Sequence, residues 1–154
     1  MYNEQKTPWW TWMLYAIAVT ETAVVVLGMV GFVDLEGSVI AYVALTGGSI
    51  LFWLLAAVFG SYFVRFEKGV LSFGYRYWNV AVPATDVAAA ETEEVGLMTF
   101  GGFGWRIDGK KRIGYVVWSG PAVQVKLTSG RCYVANCEKP DELISLLSGD
   151  TVAA

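Results

Sequence analysis

The chain has 154 residues, 55% hydrophobic and 16% charged, against about 45–50% and 25% in an ordinary soluble domain. Its net charge of −3 argues against a nucleic-acid binder, which is usually strongly basic. It has no histidine, so the commonest metal ligand and general base is missing, and two cysteines are too few for a disulfide scaffold. The apolar excess is uneven: almost no charge falls between Trp9 and Tyr62, and most lies after Val64. The length suits one small domain with a membrane anchor, and the reading is of two objects joined end to end: residues 1–63 as a membrane hairpin, 64–150 as a cytoplasmic domain and 151–154 as a tail.

The first predicted element is a span from about residue 12 to 33, WMLYAIAVTETAVVVLGMVGFV, and the second runs from about 39 to 63, VIAYVALTGGSILFWLLAAVFGSYF. Each meets the requirement of about 20 mostly apolar residues for crossing a bilayer. A signal peptide would have a shorter apolar core of about 7–15 residues after a basic start, and Asn3, Glu4 and Gln5 do not provide one. The link, Asp34 to Ser38, is short enough to force an antiparallel pair. Trp9, Trp10 and Trp12 suit a membrane–water boundary. Phe52, Trp53 and Phe59 are expected to face lipid or a partner helix. Lys6 precedes the first span, Arg65, Lys68 and Arg76 follow the second, and the link has no basic residue. The positive-inside rule then places the hairpin in the cell (inner) membrane with both termini cytoplasmic and the acidic link outside.

Glu21 is the one carboxylate expected within a span, where a charge costs at least about 2.5 kcal/mol unless neutralised or paired. Counting outward from Glu36 places it near the depth of Leu51, one turn from Gly47, Gly48 and Ser49. A protonated Glu21 could then donate to Ser49, or less directly to Thr46. A staple within the hairpin is the first reading and a contact to another membrane subunit the second. A proton path comes last, since two helices cannot enclose one and neither span has a second ionisable group.

From Tyr62 the period changes to short runs rich in Val, Tyr, Phe and Trp between turn residues, the pattern of strands. Strands are expected at Tyr62–Phe66, Val70–Tyr75, Trp78–Val82, Asp86–Val95, Lys111–Trp118, Ala122–Thr128 and Arg131–Ala135. In Ala122–Thr128 the apolar Val123, Val125 and Leu127 alternate with Gln124, Lys126 and Thr128. The end, KPDELISLLSG, reads as helix. Pro140 suits the first helical position and Asp141 and Glu142 the positive end of the dipole, while Leu143, Leu146 and Leu147 form one apolar face. About seven strands and a closing helix predict an α+β protein whose antiparallel sheet bends into a barrel or sandwich plugged by the helix.

The stretches VRFEKGVLSFG (Val64–Gly74), GFGWRI (Gly102–Ile107) and GPAVQVKLTSGRCYVANCEKPDELISLL (Gly120–Leu147), with their spacing, resemble a prokaryotic pleckstrin-homology-like (PH-like) domain. The likeness is a pattern of strands and a closing P-D-E-L helix with no catalytic signature. It implies a PH-like fold behind a membrane hairpin, in a family of unassigned function, and domains of this kind sometimes bind lipid headgroups through basic loop tips.

FGGFGWRIDGKKR, Phe100 to Arg112, holds four glycines and four basic residues. A nucleotide loop would need Gly-Lys followed by Ser or Thr, or a glycine turn opening a helix, and neither is present. The stretch reads first as a turn or bulge followed by a tight Asp108-Gly109 hairpin between Trp105–Ile107 and the next strand. Arg106, Lys110, Lys111 and Arg112, with Phe103 and Phe100, are the candidate contacts to an anionic headgroup or a protein partner. Cys132 and Cys137 lack the companions of a zinc site. Glu91, Glu93 and Glu94 read as a solvated edge. No catalytic residue, metal or other cofactor, nucleotide or nucleic acid is expected. The expected function is a non-enzymatic, membrane-anchored accessory or scaffold protein. It presents a PH-like domain to a protein partner or to its own copies, as in a subunit of a larger membrane complex. Binding of anionic lipid headgroups through the basic loop is the alternative.

Overall fold

The structure, a computed structural model, describes residues 1–31, 39–96 and 98–151. The expected link at 34–38 lies outside the described residues. The chain divides into two compact units, Thr7–Gly60 and a discontinuous one made of Met1–Lys6 with Ser61–Ala154. The hairpin is therefore an insertion inside the sheet unit rather than a segment in front of it.

The hairpin unit contains helices α1 (Thr11–Met29) and α2 (Val39–Phe59). Both are long and apolar enough to cross a membrane, and only 11% of each apolar window is buried within the chain. The Trp10 ring meets that of Phe59 at a tilt, the Tyr15 hydroxyl reaches the Ala56 carbonyl, and Thr22 meets Ser49. Numbers rise along one helix as they fall along the other, so the pair is antiparallel. Small residues line the contact: Ala18 and Ala56 are fully buried, and Ser49 nearly so. Small side chains at the contact let the two helix backbones approach closely. The second helix ends at Phe59 rather than Phe63. Gly60 follows, and Tyr62 and Phe63 already belong to a strand.

Among the described residues the sheet unit has nine strands, where about seven were expected. A four-stranded antiparallel sheet runs in the order β1 (Tyr2–Lys6), β2 (Tyr62–Glu67), β3 (Val70–Tyr75), β4 (Trp78–Pro83). A five-stranded sheet is formed by β5 (Val87–Val95), β6 (Gly104–Ile107), β7 (Ile113–Val116), β8 (Gly120–Leu127) and β9 (Cys132–Asn136), in the order β5-β8-β9-β7-β6. Two corrections follow. The sheets do not close into a barrel, because β4 and β5 pair with different neighbours. The arrangement is not wholly antiparallel either, because β7 runs parallel to β9.

The inner faces of the two sheets meet in an aromatic core. Phe73 packs edge-on against Tyr115 and Tyr133 at 5.6 Å, and Tyr62 against Tyr75 and Trp118. Edge-to-face pairs add about 0.5–1.5 kcal/mol beyond the area they bury. Burial raises the pKa of the Tyr62 hydroxyl, which donates to the Asn136 carbonyl at 2.8 Å. The fully buried Asn136 side chain accepts from the Val117 N–H and donates to the Pro121 carbonyl, tying β9 to the strands beside it. Helix α3 (Pro140–Thr151) covers the sandwich beside β5 and β8, burying Leu143 and Leu147. Thr92 donates to Asp141 in its first turn.

Candidate functional site

In the hairpin, the structure brings Glu21 to Gly48. A Cβ built on Gly48 would lie 3.0 Å from Glu21 Oε2, so the glycine makes room for the carboxyl. That oxygen is shielded and has no hydrogen-bond partner among the described residues. The expected bond to Ser49 is absent, because Ser49 is engaged elsewhere. Its hydroxyl lies 2.6 Å from Thr22 Oγ1, which in turn donates to the Ala18 carbonyl, and the Trp53 indole donates to Thr22. The hairpin's polar staple is thus Thr22–Ser49–Trp53. Thr46 is exposed and makes no hydrogen bond to Glu21 among the described residues. Thr22 was not singled out from sequence, since threonine mid-helix usually bonds only its own backbone.

The glycine-rich stretch folds back over the outer face of the five-stranded sheet. Its Phe100 is buried with Val95, Val116, Ala122 and Val134, and Phe103 packs against this cluster. Phe100 lies directly on Gly114, where an added Cβ would come within 2.7 Å of the ring. Phe100 is thus spent on the sheet cover, while Phe103 is half-buried beside it. Gly101, Gly102 and Gly104 all have positive φ, backbone that turns the segment onto the sheet at little cost.

The following tip is a five-residue loop rather than a tight Asp108-Gly109 turn, and the Asp108 carboxylate organises it. Its Oδ1 accepts the N–H groups of Lys110 (2.9 Å) and Arg112 (2.8 Å), while Oδ2 accepts from Arg112 Nε at 2.7 Å. Lys111 takes a φ of 61° to allow this. Burial would raise the Asp108 pKa, but these hydrogen bonds and the Arg112 charge outweigh it, and the pKa is lowered. Arg112 also donates to both Glu93 oxygens and to Gln124, and its guanidinium lies over the Phe100 ring. Its side chain is 14% exposed and Asp108's 7%. Arg112 is therefore an internal clamp, its Nε and Nη1 held by Asp108, Glu93 and Gln124, and Glu93, expected on a solvated edge, is one of its partners. β5 is indeed the sheet's edge strand. Arg106, Lys110 and Lys111 are exposed and make no ion pair among the described residues.

Cys132 and Cys137 are both free thiols. Burial, then the Glu4 charge, pushes the Cys137 thiol up to about 12, which keeps it protonated and unreactive. Among the described residues no group of three His, Cys, Asp or Glu side chains is placed to hold a metal ion. No family model, curated protein or solved structure matches the chain.

Proposed function

We propose that this is a non-enzymatic accessory protein of the inner membrane, whose hairpin docks on another membrane subunit or on its own copies while the sheet domain is presented in the cytoplasm. The observation that carries this reading is the shielded Glu21 oxygen without a partner on Gly48. Such a group in an apolar span is costly, and a donor from a third helix would satisfy it. The topology supports placing both termini on one side, because Lys6 pairs with Tyr62 across the hairpin's two ends. The positive-inside pattern of Lys6, Arg65, Lys68 and Arg76 supports the cytoplasmic side. The PH-like likeness is supported by the helix closing the sandwich after the last strand. The parallel β7–β9 pair and the unclosed sheets depart from it.

The test is mild-detergent purification of the tagged full-length protein from its native membrane, followed by mass spectrometry. A stoichiometric companion, or a homo-oligomer, is expected with the native sequence and should be lost with Glu21→Leu. A protein that purifies alone and monomeric refutes the reading. The alternative, headgroup binding through the basic loop, has Arg106, Lys110 and Lys111 left to support it.

A further inference from the structure

On the outer face of the four-stranded sheet, antiparallel pairing aligns Gln5, Phe63, Gly74 and Asn79 in one row across all four strands. Gly74 has no side chain to fill that row, and none could be added. Its φ is 131°, and a Cβ would lie 2.6 Å from the Trp78 carbonyl. Gly74 thus lets β4 lie close, and beside it Gln5, Phe63 and Asn79 of this row line a groove of about 410 Å³ floored by Phe63 and flanked by Arg65 and Arg76. The rest of its wall is amide and hydroxyl: Asn3, Gln5, Ser61 and Asn79. It contains no carboxylate, and neither arginine makes an ion pair among the described residues.

The small hydrogen bonds in the wall fix the donors without using them up. Asn3 accepts from Arg65 Nε at 3.3 Å, leaving the outer guanidinium nitrogens for a ligand. Gln5 donates to Ser61 Oγ at 2.9 Å, so the serine hydroxyl is left to donate outward. The Arg76 N–H is tied to the Ser61 carbonyl, and its guanidinium lies over the Tyr77 ring. Two unneutralised guanidinium groups flank neutral donors in a groove with an apolar floor, in a protein whose net charge is −3. That is the chemistry of a phosphate site, because arginine forks match phosphate oxygens in pairs.

We infer that this groove binds a phosphate group, and that its source is an anionic phospholipid headgroup. Ser61 follows Phe59, the last residue of α2, by only two positions, so a chain anchored by that helix has headgroups at hand. The inference is independent of the partner reading above and moves lipid recognition away from the loop around Arg112.

The test uses the full-length protein in mild detergent with equal amounts of phosphatidylglycerol and phosphatidylcholine, scored by native mass spectrometry. Phosphatidylglycerol should be retained in preference. At about 1 kcal/mol for each basic residue, that preference should fall about 30-fold in Arg65→Gln/Arg76→Gln. It should survive in Lys110→Gln/Lys111→Gln and survive in part in Arg65→Lys/Arg76→Lys. In a second arm, inorganic phosphate is titrated calorimetrically into the same detergent-solubilised protein. Phosphate binding that is lost in the glutamine pair, without lipid preference, assigns the site to free phosphate. The inference fails if neither ligand is retained, if the glutamine pair leaves retention unchanged, or if only the lysine pair abolishes it. Both arginines are exposed, so the glutamine pair should stay folded, and an unchanged unfolding midpoint verifies this.

Discussion

Arg112 and the pair Arg65 and Arg76 lie on the outer faces of the two sheets of one unit, yet their charges are used in opposite ways. Arg112 is held by Asp108, Glu93 and Gln124, and its side chain is mostly covered. Arg65 and Arg76 are exposed, line a groove without a carboxylate, and are fixed only by neutral groups. In sequence, the run ending at Arg112 is the more conspicuous, since four basic residues crowd beside glycines. What decides where positive charge is free is the position of the acids, and Glu93 reaches Arg112 from 19 residues upstream.

The largest effect that would sharpen this contrast comes from the cover over the five-stranded sheet. Phe100 is 5% exposed and lies on Gly114. Phe100→Ala should destabilise the sheet unit by about 3–5 kcal/mol, the usual loss for a buried aromatic ring. Denaturant unfolding of the full chain in detergent, followed by fluorescence, measures it. If Phe100 instead projected toward a headgroup, the same change would barely shift the midpoint.

Next in size is the clamp itself. Arg112→Met strands Asp108 and Glu93, and should cost about 1–3 kcal/mol, discounted from the 3–5 kcal/mol of a fully buried broken pair because Glu93 is 26% exposed. Arg65→Met removes only an exposed bond to Asn3 and should stay within about 0.5 kcal/mol. Equal losses in the two variants would erase the distinction between them.

How far the fold could be read from sequence follows the same line between local and distant information. Val70–Tyr75 has the expected limits, and Trp78–Pro83 extends the expected strand by one residue, because alternation and flanking turns are local signals. β1 was hidden. Tyr2–Lys6 has one apolar residue, Tyr2, and its partner Tyr62–Phe66 lies beyond the whole hairpin. Glu21 stood out by composition, while its neighbour Gly48 depended on a helix register that counting from Glu36 set only to within a turn. The strand expected to begin at Lys111 begins at Ile113, because Asp108 draws Lys110 and Arg112 into the loop. The groove over Phe63 needs β1 to β4 in register, to bring Gln5 and Asn79 to it, so nothing in the linear pattern marked it.

The smallest predicted effect is a pH dependence confined to the clamp. Asp108 has a folded pKa lowered from its ordinary 3.8 by hydrogen bonds from Arg112 and Lys110, against the opposing pull of burial. A carboxyl depressed in the folded state contributes stability that is fully present above its unfolded value, and that stability is lost as pH falls through the folded one. Arg112 stays charged throughout, so protonation of Asp108 alone weakens the pair. The amide resonances of Lys110 and Arg112, both donors to Asp108 Oδ1, should hold steady from neutral pH to about pH 4 and then move together. Asp108→Asn should abolish that joint movement. The Arg76 amide, bonded to the Ser61 carbonyl in a groove without carboxylates, should show no such inflection. If it titrated with the other two, the acid response would belong to the whole unit, and the two arginine environments would not be separable by pH.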